Sequence, residues 1–132
     1  MKKQTILWVD DDVDDLMMMK EILIKNNQDQ DVVEVHNGRE ALDYLKQAKQ
    51  NDNLPCLIIL DINMPVMDGK EALAVIRRTE DYNHIPVVVF STSSSELDKT
   101  FCRSLRAEMI TKPPLYKSLE KTIMEILNYC SL

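Results

Sequence analysis

Short runs of unbroken apolar residues alternate five times with longer amphipathic stretches, and that alternation narrows the folds open to this chain more than any other feature of it. The apolar runs fall at residues 5–10, 32–36, 56–60, 87–90 and 108–111, and helical periodicity falls at 14–26, 38–50, 70–81, 96–105 and 116–129. LIIL and VVVF carry no polar alternation, so strands built from them must be covered on both faces. A strand, helix, strand order achieves this by laying the strands parallel and sending the crossover helices to the two sides of the sheet. The expected fold is therefore α/β, with a five-stranded parallel sheet, doubly wound. At 132 residues and 45% hydrophobic composition, the chain has the size and apolar content of one domain spanning 1–132.

The chemistry gathers where the strands end. ILWV runs into Asp10, Asp11 and Asp12, LIIL delivers Asp61 to a loop opened by Pro65 and closed by Gly69, VVVF precedes Ser91, and EMIT runs into Lys112 and Pro113. In a doubly wound sheet ligands sit outside the carboxyl ends of the strands, at the point where strand order reverses. Asp10, Asp11, Asp61, Ser91 and Lys112 are thus expected around one crevice. Carboxylates that close repel one another unless they share a cation, and hard oxygen ligands select Mg²⁺. Phosphoryl transfer needs a nucleophile in line with phosphorus, a metal on one equatorial oxygen and positive or hydrogen-bonding groups on the others. Asp61, Lys112 and Ser91 answer to those roles. Each piece also has a plainer use, an aspartate before a helix as an N-cap and Lys-Pro as a turn. Only the combination, in this order, points to phosphoryl chemistry.

Composition removes other classes. The balance of 22 acidic against 16 basic residues gives a net charge of -6 and no basic patch, so neither nucleic acid nor anionic lipid is an expected partner. Cys56, Cys102 and Cys130 lack CxxC or zinc-ligand spacing, and the expectation is reduced thiols in a cytoplasmic protein. Lys2 and Lys3 precede an apolar stretch too short for a leader, and no run has the length of a membrane span.

The motifs WVDDD, LDINMPVMDG, PVVVFST and TKPP, in this order and spacing, resemble the receiver domain of two-component response regulators over nearly the whole chain. The resemblance implies a flavodoxin-like (βα)5 fold and a signalling switch rather than an enzyme acting on an outside substrate. It makes Asp61 the phospho-acceptor, Asp11 a direct Mg²⁺ ligand, Asp10 a ligand acting mainly through water, and Asn63 a ligand through its backbone carbonyl. It makes Ser91 the switch hydroxyl and Lys112 the cation paired with the phosphoryl group, and it implies a cis Lys112-Pro113 bond. The donor would be a sensor histidine kinase or a histidine phosphotransfer protein, because neither His36 nor His84 lies on a helix face suited to phosphoryl donation. A downstream protein partner is implied without being identified.

Some features stand apart from that pattern. Residues 105–109 read LRAEM, placing Met109 where the family usually has an aromatic switch residue. Asp12 matches no ligand position and reads as a favourable charge at the start of the first helix. Ser95 to Asp98 has the form of a helix cap, and Asn37-Gly38 that of a strand-to-helix turn. In the first helix Met18, Met19, Ile22 and Leu23 supply a core stripe, while Val13, Met17 and Ile24 fall on another side and read either as core fringe or as a docking patch for a helical partner. The alternative function is a haloacid-dehalogenase-type phosphatase with Asp10 as nucleophile, since ILWVDDDVD fits hhhhDxDxx; it lacks a late acidic metal motif. A degenerate receiver serving only as a binding module is disfavoured by the intact acidic positions.

Overall fold

The computed structural model describes residues 4–130; Lys2 and Lys3, read above against a leader, lie outside the described residues. Five strands, β1 (Thr5–Val9), β2 (Asp31–Val35), β3 (Leu57–Leu60), β4 (Val87–Ser91) and β5 (Glu108–Thr111), form one parallel sheet in the order β2-β1-β3-β4-β5. Between and after them run α1 (Val13–Lys25), α2 (Gly38–Gln50), α3 (Gly69–Arg78), α4 (Glu96–Ser104) and α5 (Tyr116–Ile126). This is the flavodoxin-like, doubly wound arrangement that the alternation predicts. Strand order reverses between β1 and β3, so the crevice opens there.

Successive strand residues point to opposite faces and serve two separate cores. Leu7, Val9, Ile58, Leu60, Val87 and Val89 pack beneath α2, α3 and α4. Ile6, Trp8, Leu57, Ile59, Val88 and Phe90 pack beneath α1 and α5. Because both faces are apolar, the central strands have no polar residue to alternate. Four helices begin on a side-chain cap: Asp12 accepts from Asp15 N–H, Asn37 from Glu40, Asp68 from Glu71 and Ser95 from Asp98. Asp12 is therefore the cap itself and not merely a favourable charge.

The structure departs from the sequence expectations at several points. α3 ends at Arg78 instead of 81, because the Thr79 hydroxyl donates back to the Val75 carbonyl and the chain turns at Thr79. α5 ends at Ile126, and its expected last turn, Leu127–Tyr129, tightens to a 3-10 helix. Among the described residues every peptide bond is trans, Lys112-Pro113 included, against the expected cis form.

The thiol expectation also fails: Cys56 and Cys130, 74 positions apart in sequence, form a disulfide with Cα atoms 5.0 Å apart, and only Cys102 is free. The turn after α5 returns over the start of β3, a closeness that no local spacing encodes. This pairing removes the sequence-level ground for a reducing compartment. No helix among the described residues is long and apolar enough to cross a membrane.

Arg77 was not singled out by the sequence, yet it ties two loops together at the end of the sheet opposite the crevice. Its guanidinium is buried and donates to the carbonyls of Leu105 (2.7 Å), Arg106 (3.2 Å), Asn83 (3.2 Å) and Ile85 (2.8 Å). The first two belong to the turn between α4 and β5, the others to the turn before β4. Replacing this side chain leaves carbonyl groups without donors in a partly dry site. Arg77→Ala is expected to lower unfolding free energy by about 2–4 kcal/mol in urea denaturation. A loss of under about 0.5 kcal/mol would show that water replaces the network at no cost.

Candidate functional site

Register brings the two central acids together. Val9 pairs with Leu60, so the next residues, Asp10 and Asp61, leave the sheet side by side, with Asp61 N–H donating to the Val9 carbonyl at 2.9 Å. Ser91 pairs with Thr111, which puts Lys112 one step beyond the edge, its N–H on the Ser91 carbonyl at 2.8 Å. Carboxylate oxygens of Asp10, Asp11 and Asp61 all lie within 4.8 Å of one another. Asp10 is buried, Asp61 half-buried and Asp11 exposed, so the cluster has a dry floor and an open rim. Three hard oxygen donors at that separation fit a divalent cation such as Mg²⁺.

Lys112 is the counter-charge. Its Nζ stands 2.6 Å from Asp10 Oδ2, 2.9 Å from Asp15 Oδ2 and 3.5 Å from Asp61 Oδ2, with the lysine side chain only 8% exposed. Burial alone would push this ammonium down, but hydrogen bonds to Asp10 and Asp15 and the charges of Asp10 and Asp61 outweigh it, and the net shift is upward. Burial pushes the Asp10 carboxyl up, against hydrogen bonds from Lys112 and from the Asp12 N–H. A buried acid so disposed gains from a further cation. Asp61 Oδ1 accepts from Ile62 N–H at 2.7 Å and lies 3.4 Å from the Asn63 nitrogen, so the Asn63 N–H faces this carboxyl.

The loop after β3 is tightly fitted. Val66 has φ 67°, a left-handed conformation that is costly for a β-branched residue, and the Met67 N–H closes a tight turn onto the Pro65 carbonyl at 2.7 Å. Gly69 admits no side chain, because a Cβ there would collide with the Asp61 carbonyl oxygen. The glycine inferred from sequence to close the loop is thus required by backbone contact beneath Asp61.

Ser91 is fully buried, and its Oγ accepts from the Ser93 N–H at 3.3 Å; among the described residues no hydrogen bond joins that hydroxyl to Asp61 or Lys112. Ser93 in turn donates to Asp98 Oδ2 at 3.0 Å, and Asp98 is ion-paired with Lys70, the residue after Gly69. The loop carrying Ser91 is thereby fastened to the helix that follows Asp61. Met109 is half-buried against the core under α3 and α4. Val13, Met17 and Ile24 are 55%, 58% and 76% exposed, and their i, i+4, i+11 spacing places them in one stripe of α1.

Asp15 and Lys70 escaped the sequence reading, which places Asp98 only in the Ser95 cap and not in an ion pair. Asp15 sits among five aspartates in six positions and has no signal of its own beyond lying three residues past the Asp12 cap. Lys70 and Asp98 are 28 residues apart and meet only through packing of α3 on α4.

Residues 6–124 match the response regulator receiver domain family, and the chain belongs to it. A relative, the response regulator Rcp1 of Synechocystis sp., is 33% identical over 96% of this chain and 88% of its own length. Among solved structures, the phosphorylated cyanobacterial phytochrome response regulator RcpA superposes with a TM-score of 0.88 at 34% identity, covering 97% of this chain and 94% of that one. The Mn²⁺-bound form of Rcp1 gives 0.85 at 33%, covering 95% and 92%. The protein is accordingly a receiver of phosphorelay signalling, and nothing in these likenesses favours the phosphatase alternative.

The Lys70–Asp98 pair carries a pH signature. Its hydrogen bond to Lys70, with that of the Ser93 hydroxyl, holds the Asp98 carboxyl below the usual carboxylate range in spite of slight burial. An acid depressed on folding contributes stability above its ordinary value and loses it as pH falls through the folded value. The stability difference between wild type and Asp98→Asn is therefore expected to be constant near neutrality and to shrink as pH drops below about 4. Urea denaturation from pH 7 to pH 3 measures it; a gap that stays constant to pH 3 would remove the ionic contribution.

Proposed function

We propose that this chain is a single-domain phosphorylation switch in which Asp61 accepts a phosphoryl group from a phosphohistidine and the loop after β4 reports the event. The observation that carries the reading is the cluster of Asp10, Asp11 and Asp61 at the topological switch point, with the Lys112 ammonium against Asp10 and facing Asp61. Asp10, Asp11, Asp61 and the Asn63 backbone carbonyl would hold Mg²⁺. When bound, the ion supplies positive charge to a phosphoryl oxygen and relieves the crowding of the carboxylates.

The protein's own groups account for the rest. An Asp61 carboxylate oxygen attacks phosphorus, the phosphorus–nitrogen bond of the donor imidazole breaks, and the ring leaves on the partner and takes up a proton. Lys112 balances charge on the phosphoryl oxygens, its ammonium already 3.5 Å from Asp61. The Ser91 hydroxyl then turns from its own loop to the phosphoryl group, releasing the Ser93 N–H and with it the fastening to Asp98. Met109, without a ring or a hydroxyl, couples weakly to this change. Attack of water on phosphorus returns Asp61 and inorganic phosphate, so the only reactions the chain accelerates are its own.

The donor is a sensor histidine kinase or a histidine phosphotransfer protein. The exposed stripe Val13, Met17 and Ile24 starts beside the acidic cluster at Val13 and runs along α1, on the side of that helix away from Asp15 and Met19. A helix bearing the histidine is its natural partner. The output partner is a protein, as the net charge of -6 disfavours nucleic acid.

Two experiments test the reading. Asp61→Asn, near-isosteric but a poor nucleophile, is expected to abolish covalent phosphorylation by acetyl phosphate while the fold is retained, as followed by intact mass and circular dichroism. Full labelling of that variant at another residue would remove Asp61 from the role. Met17→Ser is expected to slow transfer from the protein donor by ~10- to 100-fold and to spare acetyl phosphate, because a buried apolar anchor contributes on the order of 1–3 kcal/mol to an interface. Equal loss of both reactions would assign Met17 to the fold.

A further inference from the structure

Lys112 has more partners than balancing the acceptor requires. Two of its hydrogen bonds go to Asp10 and Asp15, while Asp61 stands farther off at 3.5 Å and accepts none. Asp15 is not on a strand end. It reaches the site from the first turn of α1, where the Asp12 cap fixes its backbone through the Asp15 N–H at 3.1 Å and leaves its carboxylate directed at the ammonium. Asp15 is not one of the three clustered carboxylates, and among the described residues its carboxylate meets the site through Lys112.

We propose that Asp15 is a positioning residue that keeps Lys112 in the site when Asp10 turns to a divalent cation, and that it thereby couples metal binding to phosphoryl retention with opposite signs. The inference rests on the phosphoryl-accepting function argued above. The physical ground is a conflict over one carboxylate. Asp10 Oδ2 accepts from the lysine at 2.6 Å and Oδ1 from the Asp12 N–H at 3.0 Å, and Asp10 is buried, so a cation drawn to this carboxylate competes with groups that already hold both its oxygens. With Asp15 present, the ammonium retains an anionic acceptor when Asp10 is recruited. Without it, Lys112 falls back on Asp10 and competes with the cation. Removing the carboxylate also removes one negative charge from the edge of the site, and both effects weaken cation binding. Their sign reverses for an anion: an ammonium released from Asp15, in a less negative site, passes more readily to phosphoryl oxygens.

The test compares wild type, Asp15→Asn and Asp15→Glu by calorimetric titration, first with Mg²⁺ alone and then with beryllofluoride, a phosphoryl mimic, at saturating Mg²⁺. Asp15→Asn is expected to weaken Mg²⁺ binding on the order of fivefold and to strengthen beryllofluoride binding about threefold, the scale of one partly solvated charge. Asp15→Glu, which keeps the charge on a longer stem, is expected to restore both to within about twofold. The capping hydrogen bond uses the Asp15 backbone, so α1 survives either change, as thermal unfolding in the same buffers verifies. A merely structural role would lower both affinities together and would follow the unfolding temperature. That result, or an unchanged Mg²⁺ affinity in Asp15→Asn, overturns the proposal. Failure of wild type itself to bind beryllofluoride would instead overturn the phosphoryl-accepting function, and the role of Asp15 with it.

Discussion

A single ammonium holds the acidic edge of the sheet together. The in-register pairing of Val9 with Leu60 leaves Asp10 and Asp61 no choice but to emerge as neighbours, and α1 adds Asp15 from the side. In the dry floor of the crevice such a group of carboxylates would drive its members to take up protons or push the strands apart. Lys112 prevents this by hydrogen bonding to two of them and facing the third. The proposed function follows from that balance being incomplete. One cation against several anions leaves a field that attracts a divalent ion, and a lysine so committed is held ready for an arriving anionic group.

The surroundings turn a local change into a displacement. Gly69 packs against the backbone of Asp61, Lys70 follows it directly, and Lys70 grips Asp98 at the start of α4. Asp98 then holds Ser93, whose N–H engages the Ser91 hydroxyl. A short chain of polar contacts thus runs from the proposed acceptor, through α3, to the hydroxyl proposed to answer it. Arg77 anchors the far ends of the same two elements, α3 and α4, to their outgoing turns. With those far ends fixed, the proposed motion of the loop after β4 would be taken up at the near end of α4. Thr111 adds a restraint from β5 by donating from its hydroxyl to the Ser93 carbonyl at 3.3 Å.

Exposed apolar side chains gather where the site opens. Val66, 82% exposed and held in a left-handed conformation, projects from the loop after Asp61, and Val13 and Met17 project from α1. Strain and exposure in one residue are both unfavourable in the isolated domain, and both are offset if a partner covers the loop. The disulfide between Cys56 and Cys130 lies at the opposite end of β3 and fixes the C-terminal turn, away from this face.

The order of strands and helices, the two-sided burial of β3 and β4, and the acids and lysine at strand ends were all determined by the sequence, because each depends on periodicity or on immediate neighbours. Unbroken LIIL and VVVF have only one stable environment, and a residue directly after such a strand has only one edge to occupy. The three-dimensional fold alone decided what depends on contacts between distant segments. Asp15 acquired its tie to Lys112 across 97 residues, Lys70 met Asp98 through helix packing, Arg77 found four carbonyls in two separate turns, and Cys56 met Cys130. The Lys112-Pro113 bond, implied cis by resemblance, is trans. Local pattern encodes which face of an element is buried and where it stops; the partner of a polar side chain is set by the register and packing of elements far apart in the chain, which no local spacing records.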